Sequence, residues 1–177
     1  ADTQTKVYGN VDPALTYQVS AGSLVNGDSL SGALTRSAGE NVGSYTINAS
    51  ALANGNYLIT ANNGALAIAK APLSVTANAA SKTYGGVAYS GGNGVVYSGF
   101  VNGETTNVLG GTLAYAGSSQ GASNAGSYAI TPVGLTSSNY TVSYVDGALT
   151  ISQRPITVTA DTQTKVYGNV DPALTYQ

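Results

Sequence analysis

Between Pro72 and Asn78 the chain reads PLSVTAN, and apolar and polar residues alternate. Leu73, Val75 and Ala77 point to one side while Ser74 and Thr76 point to the other, which is the period of two of a half-buried strand. The same alternation runs through ALTYQV from Ala14, SYTINA from Ser44, NYLITA from Asn56 and ALAIA from Ala65, each bounded by Gly, Asn or Asp turns. No window sustains a helical period. The one place for a helical turn is VNGDSLSGAL from Val25, where Asp28 would cap a single turn following Asn26-Gly27. Five or six short strands in each unit of about eighty residues predict small all-β, or mostly β, domains.

The pattern recurs at two scales. The first eighteen residues, ADTQTKVYGNVDPALTYQ, return unchanged at 160–177, an offset of 160 − 1 = 159. Gln4, Thr5 and Gln18 read as outward-facing positions that packing alone would let vary, so recent duplication explains the identity better than the fold does. Within the period, KVYG at Lys6 recurs as KTYG at Lys82, and LVNGD at Leu24 as FVNGE at Phe100, both 76 residues on. GSYTI at Gly43 answers GSYAI at Gly126, and GALAI at Gly64 answers GALTI at Gly147, both 83 residues on. The second unit thus carries 83 − 76 = 7 extra residues between Glu104 and Gly126, in a Gly- and Ser-rich stretch expected to lengthen a hairpin or loop and leave the core alone.

Composition narrows the function. Apolar residues make up 42% of the 177, enough for modest cores, whereas charged residues make up only 8%. Six basic and eight acidic residues leave a net charge of −2 with no basic cluster, which argues against nucleic acid and anionic membrane surfaces as partners. Cys, His, Met and Trp are absent, which removes disulfides, thiol chemistry, haem ligation and most zinc sites. A chain without sulfur suits an oxidising exterior. Neither end carries a signal peptide, a membrane span or a capping sequence, so the chain is expected to be an interior piece of a larger protein.

The joins between units are short. GALAIAKAPLSVT from Gly64 and GALTISQRPITVT from Gly147 pass from the last strand of one unit to the first strand of the next through two or three residues and a proline. Pro72 and Pro155 stand at the first position of a strand, where a missing amide does least harm. Without a flexible tether, neighbours contact only neighbours and the array is expected to form a stiff rod.

A strand ending in VTA, then K-x-Y-G, the acidic-proline DPALTY, NGD, G-S-Y and GAL-x-I together resemble the MBG domains of the YGX type. These are tandem repeats of large secreted adhesins of Gram-negative bacteria, including proteins related to filamentous haemagglutinin and to biofilm-matrix adhesins. The resemblance covers the whole chain and divides it into 1–70, a first module lacking its first strand, 71–153, a second module, and 154–177, the start of a third identical to the first. The second module departs from the pattern between Gly86 and Tyr97, where the acidic-proline element is missing. The resemblance implies β-grasp-like or sandwich-like domains stacked end to end, with at most one short helical turn each. It implies an extracellular stalk or fibre, anchored to an outer membrane or secreted into a biofilm matrix, that holds a distal binding region away from the cell. Its partners would be neighbouring modules of the same chain, with lateral self-association between rods, and it implies no catalytic residue.

Residue chemistry points the same way. Tyr8, Tyr84 and Tyr167 each precede a glycine; they read as core anchors followed by a residue able to take positive φ, with sugar stacking as the alternative. Asp12, Asp28, Glu40, Glu104 and Asp146 lack the spacing of a calcium loop, and turn chemistry accounts for VDP, NGD and VDG. GGVAYSGGNGVV lacks the Lys-Ser/Thr ending and the following helix of a phosphate loop. With no His or Cys, and with Glu40 having no acidic counterpart in GASNAGSY, no catalytic, cofactor-binding or metal-binding residue is assigned and the chain reads as no enzyme. The competing reading is that the modules themselves bind glycan, ice or a host surface through exposed threonines such as those of ITVTADTQT.

Overall fold

The alternating runs pair into eleven strands in a computed structural model that describes residues 1–177. In chain order these are β1 (Gln4–Val7), β2 (Thr35–Arg36), β3 (Gly43–Asn48), β4 (Gly64–Ala69), β5 (Ala71–Ala77), β6 (Ala80–Thr83), β7 (Val95–Ser98), β8 (Gly110–Ala116), β9 (Gly126–Thr136), β10 (Tyr140–Val145) and β11 (Gly147–Ser152). A 3-10 turn at Thr106–Val108 is the one helical element.

Two four-stranded sheets repeat one plan. In the first the order is β1-β4-β3-β2, with β1 parallel to β4 and the other pairs antiparallel. In the second it is β6-β11-β9-β8, with β6 parallel to β11 and the rest antiparallel. The glycine that opens GAL-x-I serves this plan. A Cβ on Gly64 would lie 2.6 Å from the carbonyl oxygen of Asp2, and one on Gly147 would lie 2.6 Å from that of Ala77, so only glycine lets these strands pass the backbone beside them.

A third sheet occurs once. In it β5 lies between β10, to which it is parallel, and β7, to which it is antiparallel, and its Leu73, Val75 and Ala77 are buried as their alternation requires. The first module has no strand corresponding to β5. This explains why NYLITA is not a strand although it corresponds to β10 at an offset of 83: the segment has no ladder partner on the side where β10 has β5. ALTYQV, also expected as a strand, is irregular as well.

Two further expectations are corrected. Asp28 caps no helical turn, and Ser31 bridges to Ala53 instead; the short helical turn lies in the second module at Thr106–Val108, where Asn102 and Gly103 take the same pair of positive φ, 56° and 70°, as Asn26 and Gly27, 52° and 76°. The seven extra residues do lengthen the hairpin, since β8 spans seven residues where β2 spans two. They do not leave the core alone. The loop after β8 buries Ser119 fully and sends Ala122 into the core with Ala77, Ile130, Leu149 and Ile151.

Residues 154–177 form no named strand, and one bridge, Ala160 to Tyr176, ties their ends. Their side-chain bonds nevertheless copy those of the identical opening residues. Thr175 donates to Asp161 at 2.6 Å as Thr16 does to Asp2 at 2.7 Å, and Gln163 donates to Thr175 at 3.1 Å as Gln4 does to Thr16 at 3.1 Å. Lys165 also pairs with Asp171 as Lys6 pairs with Asp12. This local geometry is encoded locally.

Candidate functional site: the inter-module junction

Only 17 of the 177 residues are buried, and the larger of the two cores does not respect the boundary between modules. It joins Tyr8, Ile47, Leu66 and Ile68 of the first module to Ala71, Leu73 and Tyr140 of the second. The arrangement begins with β4 running into β5 across Lys70 alone, which places the end of one module's sheet directly against the start of the next.

Glu104 stands at the centre of this junction. Its carboxylate accepts the Tyr8 hydroxyl at 2.6 Å from the first module and the Tyr140 hydroxyl from its own. The two rings meet edge to face with centroids 5.6 Å apart, and Phe100 meets Tyr140 in the same way at 5.5 Å. Tyr140 also receives the backbone N–H of Val101 at 3.1 Å, which fixes the turn that carries Glu104. The environment holds both phenols neutral. The bond to Glu104, and secondarily burial, raises the pKa of Tyr8 above its ordinary value, while burial, and secondarily Glu104, raises that of Tyr140.

Gly9 completes the contact. It sits at φ +87°, and a Cβ there would fall 2.4 Å from a Val101 methyl of the next module, so the Tyr-Gly pair supplies one anchor and one point of closest approach. Around it, Asn139 accepts the backbone N–H of Val42 at 3.1 Å and donates to the Asn41 side chain at 2.9 Å. Lys70 donates to the Ser137 carbonyl at 2.8 Å.

A second polar cluster supports the first module's side of the junction. Lys6 bridges Asp12 at 2.7 Å and Glu40 at 2.5 Å, and Arg36 pairs with the same two carboxylates while lying over the Tyr45 ring. Hydrogen bonds from Arg36 and Lys6 hold Asp12 below the usual carboxylate range, and those from Lys6 and Arg36 do the same for Glu40. The Lys6 ammonium is raised in return, chiefly by Asp12. The chemistry available here is cohesion between neutral phenols, one carboxylate and paired charges.

The description MBG domain (YGX type) matches residues 1–67, 73–150 and 156–177. The chain belongs to this family. MBG domains occur in large repetitive adhesin-like proteins of the cell surface, which suggests a structural rather than an enzymatic role and an extracellular setting. The chain has no match among curated proteins and none among solved structures. No helix is long and apolar enough to cross a membrane.

The Tyr-Gly element of this MBG chain is where sequence reasoning needs correction. Tyr8 is 5% exposed, Tyr84 is 42% exposed and Tyr167 is fully exposed. Identical or matching residues therefore differ in burial, and the difference follows what lies after them: Tyr8 is covered by Tyr140 and Glu104 of the second module. Tyr8 is the core anchor expected, in a core that joins Ile47, Leu66 and Ile68 of its own module to Leu73 and Tyr140 of the next, whereas Tyr84 and Tyr167 are not buried. Gly85 does not take positive φ, which passes to Gly86 in the second module's altered loop.

The acids are also more than turn residues. Asp12 and Glu40 hold the paired cations, Asp28 accepts the Tyr57 hydroxyl at 2.8 Å, and Glu104 joins two modules. Sequence reasoning missed Tyr140, Asn139 and Val101. A signal was present, because Tyr57 and Tyr140 stand 83 apart, Asp28 and Glu104 stand 76 apart, and each tyrosine meets its own acid.

Proposed function

We propose that this chain is a stalk segment of a giant repetitive adhesin of a Gram-negative bacterium, whose modules stack as a rod and hold a distal binding region away from the outer membrane or within a secreted matrix. The observation that carries the reading is the core continuous from Ile47 and Leu66 through Tyr8 to Leu73 and Tyr140, for a join that shares side chains resists the swivelling a flexible tether would allow. MBG membership supports the same reading at the level of the whole protein. The low charge leaves little repulsion between neighbouring rods, which favours lateral association in a matrix. Small-angle scattering tests the rod. Each complete module should add roughly 30 to 40 Å to the maximum dimension, about the length of the eleven-residue strand β9. A compact profile with no such increment in chains of more modules would overturn it.

A further inference from the structure

The second module is entered through β5, which follows β4 across Lys70 alone, and is left through β11. Tension along the chain therefore pulls on Ala71 from one side and on Ser152 from the other. How the module meets that pull depends on which strands hold β5 and β11.

Both are held by parallel partners in one register. β10 lies opposite β5 from Tyr140 at Ala71 to Val145 at Thr76, and β11 lies opposite β6 from Leu149 at Ala80 to Ser152 at Thr83. The two pairs belong to different sheets, yet their offset is the same, 140 − 71 = 69 and 149 − 80 = 69. Residues 71–83 and 140–152, which open and close the module, thus run side by side as one parallel ladder that steps from sheet to sheet at 77–79. Gly147 permits the step, because a Cβ there would lie 2.6 Å from the Ala77 carbonyl oxygen and 2.8 Å from that of Asn78. The ladder is closed at both ends, where the Ala71 N–H donates to the Asn139 carbonyl at 3.0 Å and the Tyr84 N–H donates to the Ser152 carbonyl at 2.8 Å. Leu73, Val75, Tyr140, Leu149 and Ile151 are buried along it, which keeps water from competing for its bonds.

We propose that the module is a shear clamp, a device whose further function is to bear tension. Pulling the opening segment backward and the closing segment forward slides two parallel strands along their own axes, so the ladder's bonds are loaded together instead of one after another. Resistance to forced unfolding is set by the rate at which that barrier is crossed, and a barrier that requires many bonds to give at once is crossed slowly. The first module has the same device in β1 and β4, parallel from Gln4 at Leu66 to Val7 at Ala69. Load leaving β4 passes through Lys70 directly into β5, from one clamp to the next. The source of the tension rests on the stalk reading, whereas the resistance does not. A module that yields easily would leave the rod intact, and a compact scattering profile would leave the clamp intact.

Single-molecule force spectroscopy tests it, since a chain without cysteine lets a pair of introduced ones set the direction of pull. Lys70→Cys with Gln153→Cys loads the ladder in shear. Gly85→Cys with Gln153→Cys pulls from the one end where β6 and β11 both finish and peels them apart bond by bond. All three positions are exposed, and a Cβ on Gly85 meets only the Thr83 carbonyl oxygen, at 3.9 Å. At equal loading rate the shear pair should require a several-fold higher unfolding force than the peeling pair. Equal forces in the two directions, or greater resistance to peeling, would overturn the proposal.

Discussion

Glu104 differs from its counterpart Asp28 by one methylene, and the two acids meet different partners. Asp28 accepts Tyr57 from its own module, whereas the longer Glu104 accepts Tyr140 and still reaches Tyr8 across the boundary. Glu104→Asp should therefore lose the Tyr8 bond, costing about 1 to 2 kcal/mol, and Tyr8→Phe should cost the same for the same bond. Combined, the two should cost little more than either alone in a double-mutant cycle read by chemical denaturation; full additivity would show that the bond contributes nothing. Alkali should act on the same atoms. Because the folded chain raises both phenol pKa values, their contribution is fully present below the ordinary tyrosine value of about 10 and is lost as pH rises through the folded values. Melting curves collected above that point should fall, and Tyr8→Phe should fall less steeply, having one phenol fewer to ionise. None of this was legible in sequence beyond the matching of VNGD to VNGE, since the bond from Tyr8 to Glu104 joins residues 96 apart.

At the scale of elements, legibility followed the partner. SYTINA, ALAIA and PLSVTAN each contain a strand with a neighbour to bond, and their period of two gave them correctly. NYLITA has the same alternation and is no strand, because alternation reports which face would be buried while a strand also requires a ladder. The loop after β8 escaped for the opposite reason: Gly and Ser mark it as surface, yet small residues such as Ser119 and Ala122 are what a tight core accepts. The GAL-x-I glycines were legible as a motif without a cause. That cause is close backbone approach, and it makes a test. Gly147→Ala would push β11 off the Ala77 carbonyl, and an overpacked position of this kind costs about 1 to 3 kcal/mol. Thermal melts should show that loss. Gly55→Ala, whose Cβ would meet nothing within 4 Å, is the control that should leave stability nearly unchanged.

For the whole molecule, the two cores are unequal in independence. The core of Ala77, Ala122, Ile130, Leu149 and Ile151 lies wholly within the second module, whereas three of the seven residues of the junction core, Ala71, Leu73 and Tyr140, reach the first module from its neighbour. It follows that the second module can hold its fold while the first depends on the contact between them. Tyr8→Ala should then cost about 3 to 5 kcal/mol, the range for deleting a large buried aromatic ring, and the loss should fall unevenly along the chain. Amide exchange measured by mass spectrometry should show peptides within residues 1–70 losing protection together, while those from β6, β9 and β11 keep theirs. Tyr84→Ala should leave both sets protected, because Tyr84 stands 42% exposed. Equal loss of protection in both modules after Tyr8→Ala would mean that they fold as one unit, and loss in neither would mean that Tyr8 does not couple them.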